Sequence, residues 1–174
     1  MGVIYEEEHN IQLTTPEIAA LWMTYIQNSA TICFYKHFLQ NMKDKEIEKI
    51  VRGALLLKQG INEEIKKLFN SEGLPISDGY SDKDVNLSAP ALFTDLFALS
   101  FAYRVGQMTV PYYATVLTKI ARSDVVKNFS EWLNSSSKQY RHALQLMLSK
   151  GVYDRPPKIP YPKKRVDETT PTSI

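Results

Sequence analysis

Three histidines, one cysteine and a scatter of carboxylates are the residues of this 174-residue chain with types suited to metal or nucleophile chemistry. A di-iron carboxylate centre in a helical bundle needs a Glu from each of two helices and a Glu-x-x-His from each of the other two. That spacing matters because residues three apart share one face of a helix. His37 has Phe34 at that distance, and His142 has Gln139. Glu6-x-x-His9 has the right spacing but lies ahead of the first helix cap. Asp95 falls near a helix start and Glu131 on a water-facing side, so the second half of the chain offers few interior acids. His37 and His142 could meet across helices, but their neighbours Lys36 and Arg141 read as partly exposed helix surface. A reactive thiol needs a base, a cation or a helix N-terminus to lower its pKa. Cys33 has none close in sequence and reads as a small buried side chain. There is no glycine-rich phosphate loop and no nucleophile elbow. The expectation is no catalytic residue, no metal ligand and no cofactor.

Ten tyrosines are the compositional oddity. Amphipathic packing with each hydroxyl at the bundle edge explains most of them. Two features break helix rules. Pro111 sits inside a helical stretch, with Gly106 ahead of it, and is expected to kink it at the carbonyl of Gln107. Gly53 and Gly60 lie one heptad apart beside core positions, each costing about 1 kcal/mol relative to Ala. Close helix packing in a curved bundle accounts for both. If a cavity forms at the kink, Tyr103, Gln107, Tyr113 and Tyr140 are the residues expected to line it.

These residues sit on four long stretches with apolar residues at three- and four-residue spacing, which is helical periodicity. The first helix is expected over about 16–42, capped by Thr14 or Thr15, with Pro16 in its first turn and Glu17 at the positive end of its dipole. Its stripe is Ile18, Leu21, Trp22, Tyr25, Ile32 and Leu39. The second runs over about 45–72 with Asp44 as cap and the stripe Ile47, Ile50, Ala54, Leu57, Ile61, Ile65 and Leu68. Gly73 suits the left-handed position past its end. The third is expected from near Pro90, capped by Ser88, to about 121. The fourth follows Ser123 and ends at Gly151, with Phe129, Leu133, Tyr140, Leu144 and Met147 along one side. Loops of about two residues make each pair an antiparallel hairpin, and the two hairpins repeat one plan.

The joint between hairpins, 74–89, reaches ~50 Å at ~3.3 Å per residue. A helix of this size is ~42 Å long. The joint can therefore run the height of the molecule and return the third helix parallel to the second, the long connection of ferritin-like bundles. The fold expected is all-α: a ferritin-like four-helix bundle of two antiparallel hairpins joined by a long crossover. Its parts are an acidic tail over 1–12, the bundle over 13–151 and a proline-rich, basic, extended tail over 152–174. In that tail Tyr153, Ile159 and Tyr161 are candidates to pin its first part to the bundle. Lys158, Lys163, Lys164 and Arg165 are a short basic run that reads as solvated.

Composition bounds the rest. The chain is 44 % apolar and 23 % charged with a net charge of +2, which excludes general disorder and any strong field for nucleic acid or membrane. No run reaches the ~18 apolar residues of a membrane span, and the start lacks the basic-then-apolar order of a signal peptide. An intracellular protein without membrane or nucleic-acid partners is the expectation.

Four boundary segments taken in order carry a resemblance: LTTPEIAALW at 13–22, DVNLSAPALF at 84–93, RSDV at 122–125 and LMLSKGVYDRPPKIP at 146–160. Over roughly 10–162 the chain resembles a family of uncharacterised helical proteins of endospore-forming bacteria, often labelled spore-coat-like. The resemblance implies a ferritin-like fold and no catalytic residues. Many members carry the unit twice in one chain; here it occurs once, which implies a homodimer. The function expected is a non-enzymatic structural or protein-interaction bundle resembling spore-coat proteins, with other coat proteins as further partners and spore association inside the sporulating cell. The alternative is a small-ligand or metal-binding bundle with a cavity near the third helix's kink.

Overall fold

The computed structural model describes residues 11–159. It contains four helices, α1 (Thr15–Gln40), α2 (Lys45–Ser71), α3 (Asp95–Leu117) and α4 (Ser123–Ser149), and no strand among the described residues. The acidic segment 1–10, Glu6-x-x-His9 and the tail from 160 onward, Tyr161 included, lie outside the described residues.

Local signals explain the ends. Thr14 is the N-cap of α1, and Glu17 reaches back to its backbone nitrogen at 2.8 Å. Asp44 caps α2 by accepting from the nitrogens of Glu46 and Ile47. Gly73 and Gly151 close α2 and α4 with φ of 64° and 67°, a region only glycine enters cheaply. The connections inside each hairpin are longer than expected, four residues at 41–44 and five at 118–122. They still bring α1 against α2 and α3 against α4.

The third helix differs most from expectation. It starts at Asp95, not near Pro90, and stops at Leu117, not 121. Ser88 does not cap a helix: its nitrogen and hydroxyl donate to Asn86 Oδ1 within a turn at 87–88, and no helix follows it until Asp95. Thr94 takes the role by accepting from Phe97 N at 3.1 Å. The far end is held open because Ala121 N and Arg122 N donate to Glu17. Pro111 does not interrupt the helix. Pro111 and Gln107 both lie on its exposed side, so water can take the carbonyl that Pro111 leaves without a donor.

The segment 72–94, with one 3-10 turn at Asp82–Asp84, contacts α1 at successive levels. Gly79 packs against Tyr25 and Ser29, so tightly that a Cβ there would stand 2.8 Å from Ser29 Oγ. Cys33 Sγ donates to Ser81 O, Lys36 pairs with Asp82, and Asn41 Nδ2 donates to Ala89 O.

The core has two apolar clusters. One, toward the α1–α2 turn, centres on Tyr35, Phe38, Val51, Leu99 and Met147. The other, toward the α3–α4 turn, centres on Leu21, Ile61, Phe69, Phe129 and Trp132. The buried faces are rotated slightly from the expected stripes: α2 buries Val51, Leu55, Lys58, Asn62 and Phe69, whereas Ile50, Leu57 and Leu68 are only partly buried.

The glycines divide. A Cβ at Gly106 would stand 2.8 Å from Tyr140 Cβ, so this glycine lets α3 and α4 close on each other. Gly60 is exposed with nothing within 4 Å, so close packing does not explain it. Gly60→Ala is expected to raise stability by about 1 kcal/mol in urea unfolding. Gly106→Ala is expected to lower it by ~1–3 kcal/mol, the overlap with Tyr140 outweighing the better helix propensity.

Candidate functional site

Between the two apolar clusters every helix contributes polar side chains to one level of the interior. They are Thr24 and Asn28 from α1, Lys58 and Asn62 from α2, Thr109 and Tyr113 from α3, and Ser136 from α4. Lys58 is 5 % exposed. Its Nζ donates to Thr109 Oγ1 at 3.2 Å and lies 5.7 Å from the centre of the Tyr113 ring. No carboxylate pairs with it among the described residues. Burial pushes its pKa down to about 8. Tyr113 is held well above its ordinary range by burial. Thr24 Oγ1, Asn28 Nδ2, Asn62 Oδ1, Tyr113 OH and Ser136 Oγ have no protein partner. A crevice of about 20 Å³ beside Lys58, Gly106 and Ser136 is large enough for one water.

Of the four residues expected around a cavity, three come together and one does not. Tyr103 and Tyr140 stack with ring centres 5.0 Å apart, and Gln107 Nε2 donates to Tyr103 OH at 2.9 Å. Tyr153 closes the group edge-on to Tyr103. Tyr140 lines the small crevice, while Tyr113 belongs to the other apolar cluster, edge-on to Phe129. Lys58, the most unusual member of the level, had a signal in the sequence: 54, 58, 61 and 65 are at helical spacing, so a lysine stands on a core stripe.

The second place with chemical character is a groove of about 500 Å³ between α1 and the segment 80–93. Phe34 and His37 form one wall, and Tyr80, Asp84, Leu92 and Phe93 the other. His37 differs from expectation: it is 8 % exposed, not at the surface, and its Nε2 has no protein partner. Cys33 also lines the groove. Its thiol is pushed up by burial and by the nearby Asp84 charge, which disfavours the nucleophilic thiolate. Beside the groove an aromatic cluster reaches the surface. Phe93 stacks on Phe97 at 4.5 Å, Phe38 meets Phe93 edge-on at 5.6 Å, and Phe34 packs on Phe101 at 5.1 Å. Phe34, Phe93 and Phe97 remain 46, 40 and 44 % exposed.

No three His, Cys, Asp or Glu side chains among the described residues are placed to hold a metal ion. His142 is exposed on α4. No helix among the described residues is long and apolar enough to cross a membrane.

A family model described as "Protein of unknown function (DUF3231)" matches residues 4–164. The chain belongs to the DUF3231 family. This DUF3231 chain shares its fold with a crystal structure of a "putative spore coat protein" from Bacillus halodurans C-125, at a TM-score of 0.79 and 19 % identity over 89 % of this chain and 100 % of that one. A conserved hypothetical protein from Mycobacterium tuberculosis aligns at a TM-score of 0.62 and 15 % identity, covering 88 % of this chain and 100 % of that one. No curated protein matches.

Proposed function

We propose that this DUF3231 chain is a non-enzymatic, ferritin-like helical bundle that serves as a structural interaction protein of the coat-like kind inside sporulating cells, and that it pairs as a homodimer. The observation that carries the reading is the solvent-facing aromatic cluster of Phe34, Phe93 and Phe97 next to the groove. An apolar patch of that kind on a folded protein marks an interaction surface. The carboxylates and amines nearest the helix ends are engaged in holding the bundle together: Arg122 with Glu72 and Asp124, and Lys150 with Asp44 and Glu46. The ferritin-like reading of the long connection is supported by its contacts at Ser29, Cys33, Lys36 and Asn41, one level of α1 after another. The printed description of the Bacillus halodurans neighbour supports the coat-like element. A small-ligand cavity at the third helix's kink is supported only by the 20 Å³ crevice there, which is too small for an organic molecule; the 500 Å³ groove lies elsewhere, against α1.

Sedimentation velocity tests the pairing. The wild-type chain is expected to dimerise at micromolar concentration, and Phe93→Asp with Phe97→Asp to remain monomeric with an unchanged far-UV spectrum. A wild-type chain that stays monomeric at a hundred micromolar would overturn the reading.

A further inference from the structure

The groove has walls of a particular chemistry. Aromatic rings stand on both sides, Phe34 from α1 and Tyr80 and Phe93 from the connection. Asp84 lines it, and Asp78 and Asp82 share the same connection, where Lys83 and the Lys36 paired with Asp82 offset part of the charge. His37 lines the same wall as Phe34, and its buried Nε2 has no hydrogen-bond partner in the protein. In the tautomer that carries its proton there, this nitrogen is a donor in search of a carbonyl. An aromatic-walled, acidic groove with a buried donor fits an extended proline-rich strand: prolines leave carbonyls without competing N–H groups, and the chain is preorganised before binding.

The chain carries such a strand. Residues 155–165 read RPPKIPYPKKR, five basic residues and four prolines with no acid. Pro157 and Pro160 have the Pro-x-x-Pro spacing that puts two rings on one ridge of a polyproline helix, ~9 Å apart. The groove follows α1 from Ala30 to His37, ~10 Å of helix. Ile159, between those prolines, is 87 % exposed. Among the described residues, Tyr153 packs on Tyr103 where the run leaves the bundle, and none of residues 155–159 lines the groove.

We propose that the proline-rich segment 155–165 of a second copy docks in the groove between α1 and residues 80–93, its prolines and Ile159 against Phe34 and Phe93 and its basic residues toward Asp84. This rests on the self-association reading above and names the contact that makes it. The charge match steers the encounter, and the rings supply the buried anchors.

A fluorescently labelled peptide of residues 155–165 added to the full chain tests the docking by anisotropy. Saturable binding is expected, at least tenfold weaker for a Pro157→Ala, Pro160→Ala peptide and for a full chain with Asp84→Lys or Phe34→Ala. No binding, or equal binding by a scrambled peptide or by both chain variants, overturns the proposal. Sedimentation of the full chain carrying Pro157→Ala and Pro160→Ala separates the two readings. At least tenfold weaker self-association is expected. If the variant associates as tightly as wild type, the docked segment is wrong while the homodimer stands; a monomeric wild type overturns both.

Discussion

Glu17→Ala is expected to cost ~2–4 kcal/mol of folding stability, among the largest losses available from one side chain outside the apolar core. The carboxylate is 1 % exposed. Its Oε2 accepts from Thr14 N and Thr14 Oγ1, both at 2.8 Å, and its Oε1 from Ala121 N at 3.0 Å and Arg122 N at 2.8 Å. Removing it leaves two backbone donors of the α3–α4 turn without an acceptor and takes the cap from α1. Burial on its own would raise the Glu17 pKa, but the N–H groups of Arg122, Thr14 and Ala121 and the Thr14 hydroxyl outweigh it and hold it at about 2. A folded-state pKa below the unfolded 4.5 means that the unfolded chain takes up the proton first as acid is added. The Glu17 contribution is therefore fully present above pH ~5 and is lost as the pH falls toward 2. Urea unfolding of wild type and Glu17→Gln at a series of pH values checks this. The stability gap between them should be widest near neutrality and should narrow steadily below pH ~4. A gap that is flat with pH would mean that the ionised carboxylate is not what the turn requires.

The same clamp occurs at the other end of the molecule, and this explains which parts of the fold were readable in advance. Asp95 Oδ2, in the first turn of α3, accepts from Lys43 N and Asp44 N of the α1–α2 turn. Each hairpin thus begins with an acid that holds the turn of the other hairpin. Glu17 and Asp95 were each legible as helix-start residues, because capping and dipole effects act within a few positions of sequence. Their second role was not, since it joins positions about a hundred and about fifty residues apart. For the same reason α1, α2 and α4 were legible to within about two residues, being marked by Thr14, Asp44, Gly73 and Gly151. The start of α3 was not: Ser88 and Pro90 carry the signature of a helix start, but Ser88 lies in a turn with Asn86 and Thr94 caps the helix instead. Of the interior, Leu21, Tyr25, Phe129 and Met147 follow from spacing. Asn62 and Asn28 do not, because a pattern that counts only apolar residues passes over polar ones on a core face, and Lys58 shows only as a polar interruption of the stripe through 54, 61 and 65. The groove depends on how 80–93 lies on α1, which no local rule encodes.

Lys58 carries the opposite kind of prediction. Lys58→Met is expected to stabilise the protein by ~1–3 kcal/mol at pH 7, since a buried charge without a counter-charge is worse than an apolar side chain of similar volume. Among the described residues the ammonium has one hydrogen bond, to a neutral hydroxyl, and lies over the face of Tyr113. Thr109 is partly exposed, so its hydroxyl can turn to water once the lysine is gone. The pH dependence follows from a folded-state pKa of about 8 against 10.5 in the unfolded chain. Below pH ~8 both states hold the proton, so the penalty is constant. Between 8 and 10.5 the folded protein releases it while the unfolded chain keeps it, so wild type gains stability as the pH rises. The advantage of Lys58→Met should therefore be level from pH 6 to 7.5 and shrink by roughly 1 kcal/mol per pH unit above 8. Parallel chemical denaturation of the two proteins up to pH 9.5 measures it, and taking the difference removes titrations they share. If Lys58→Met proves less stable than wild type at pH 7 by more than 1 kcal/mol, the ammonium is neutralised by something bound at the level of Asn28, Asn62 and Ser136. Asn28 Nδ2 and the Ser136 hydroxyl, as donors without a protein partner, would then be its remaining ligands.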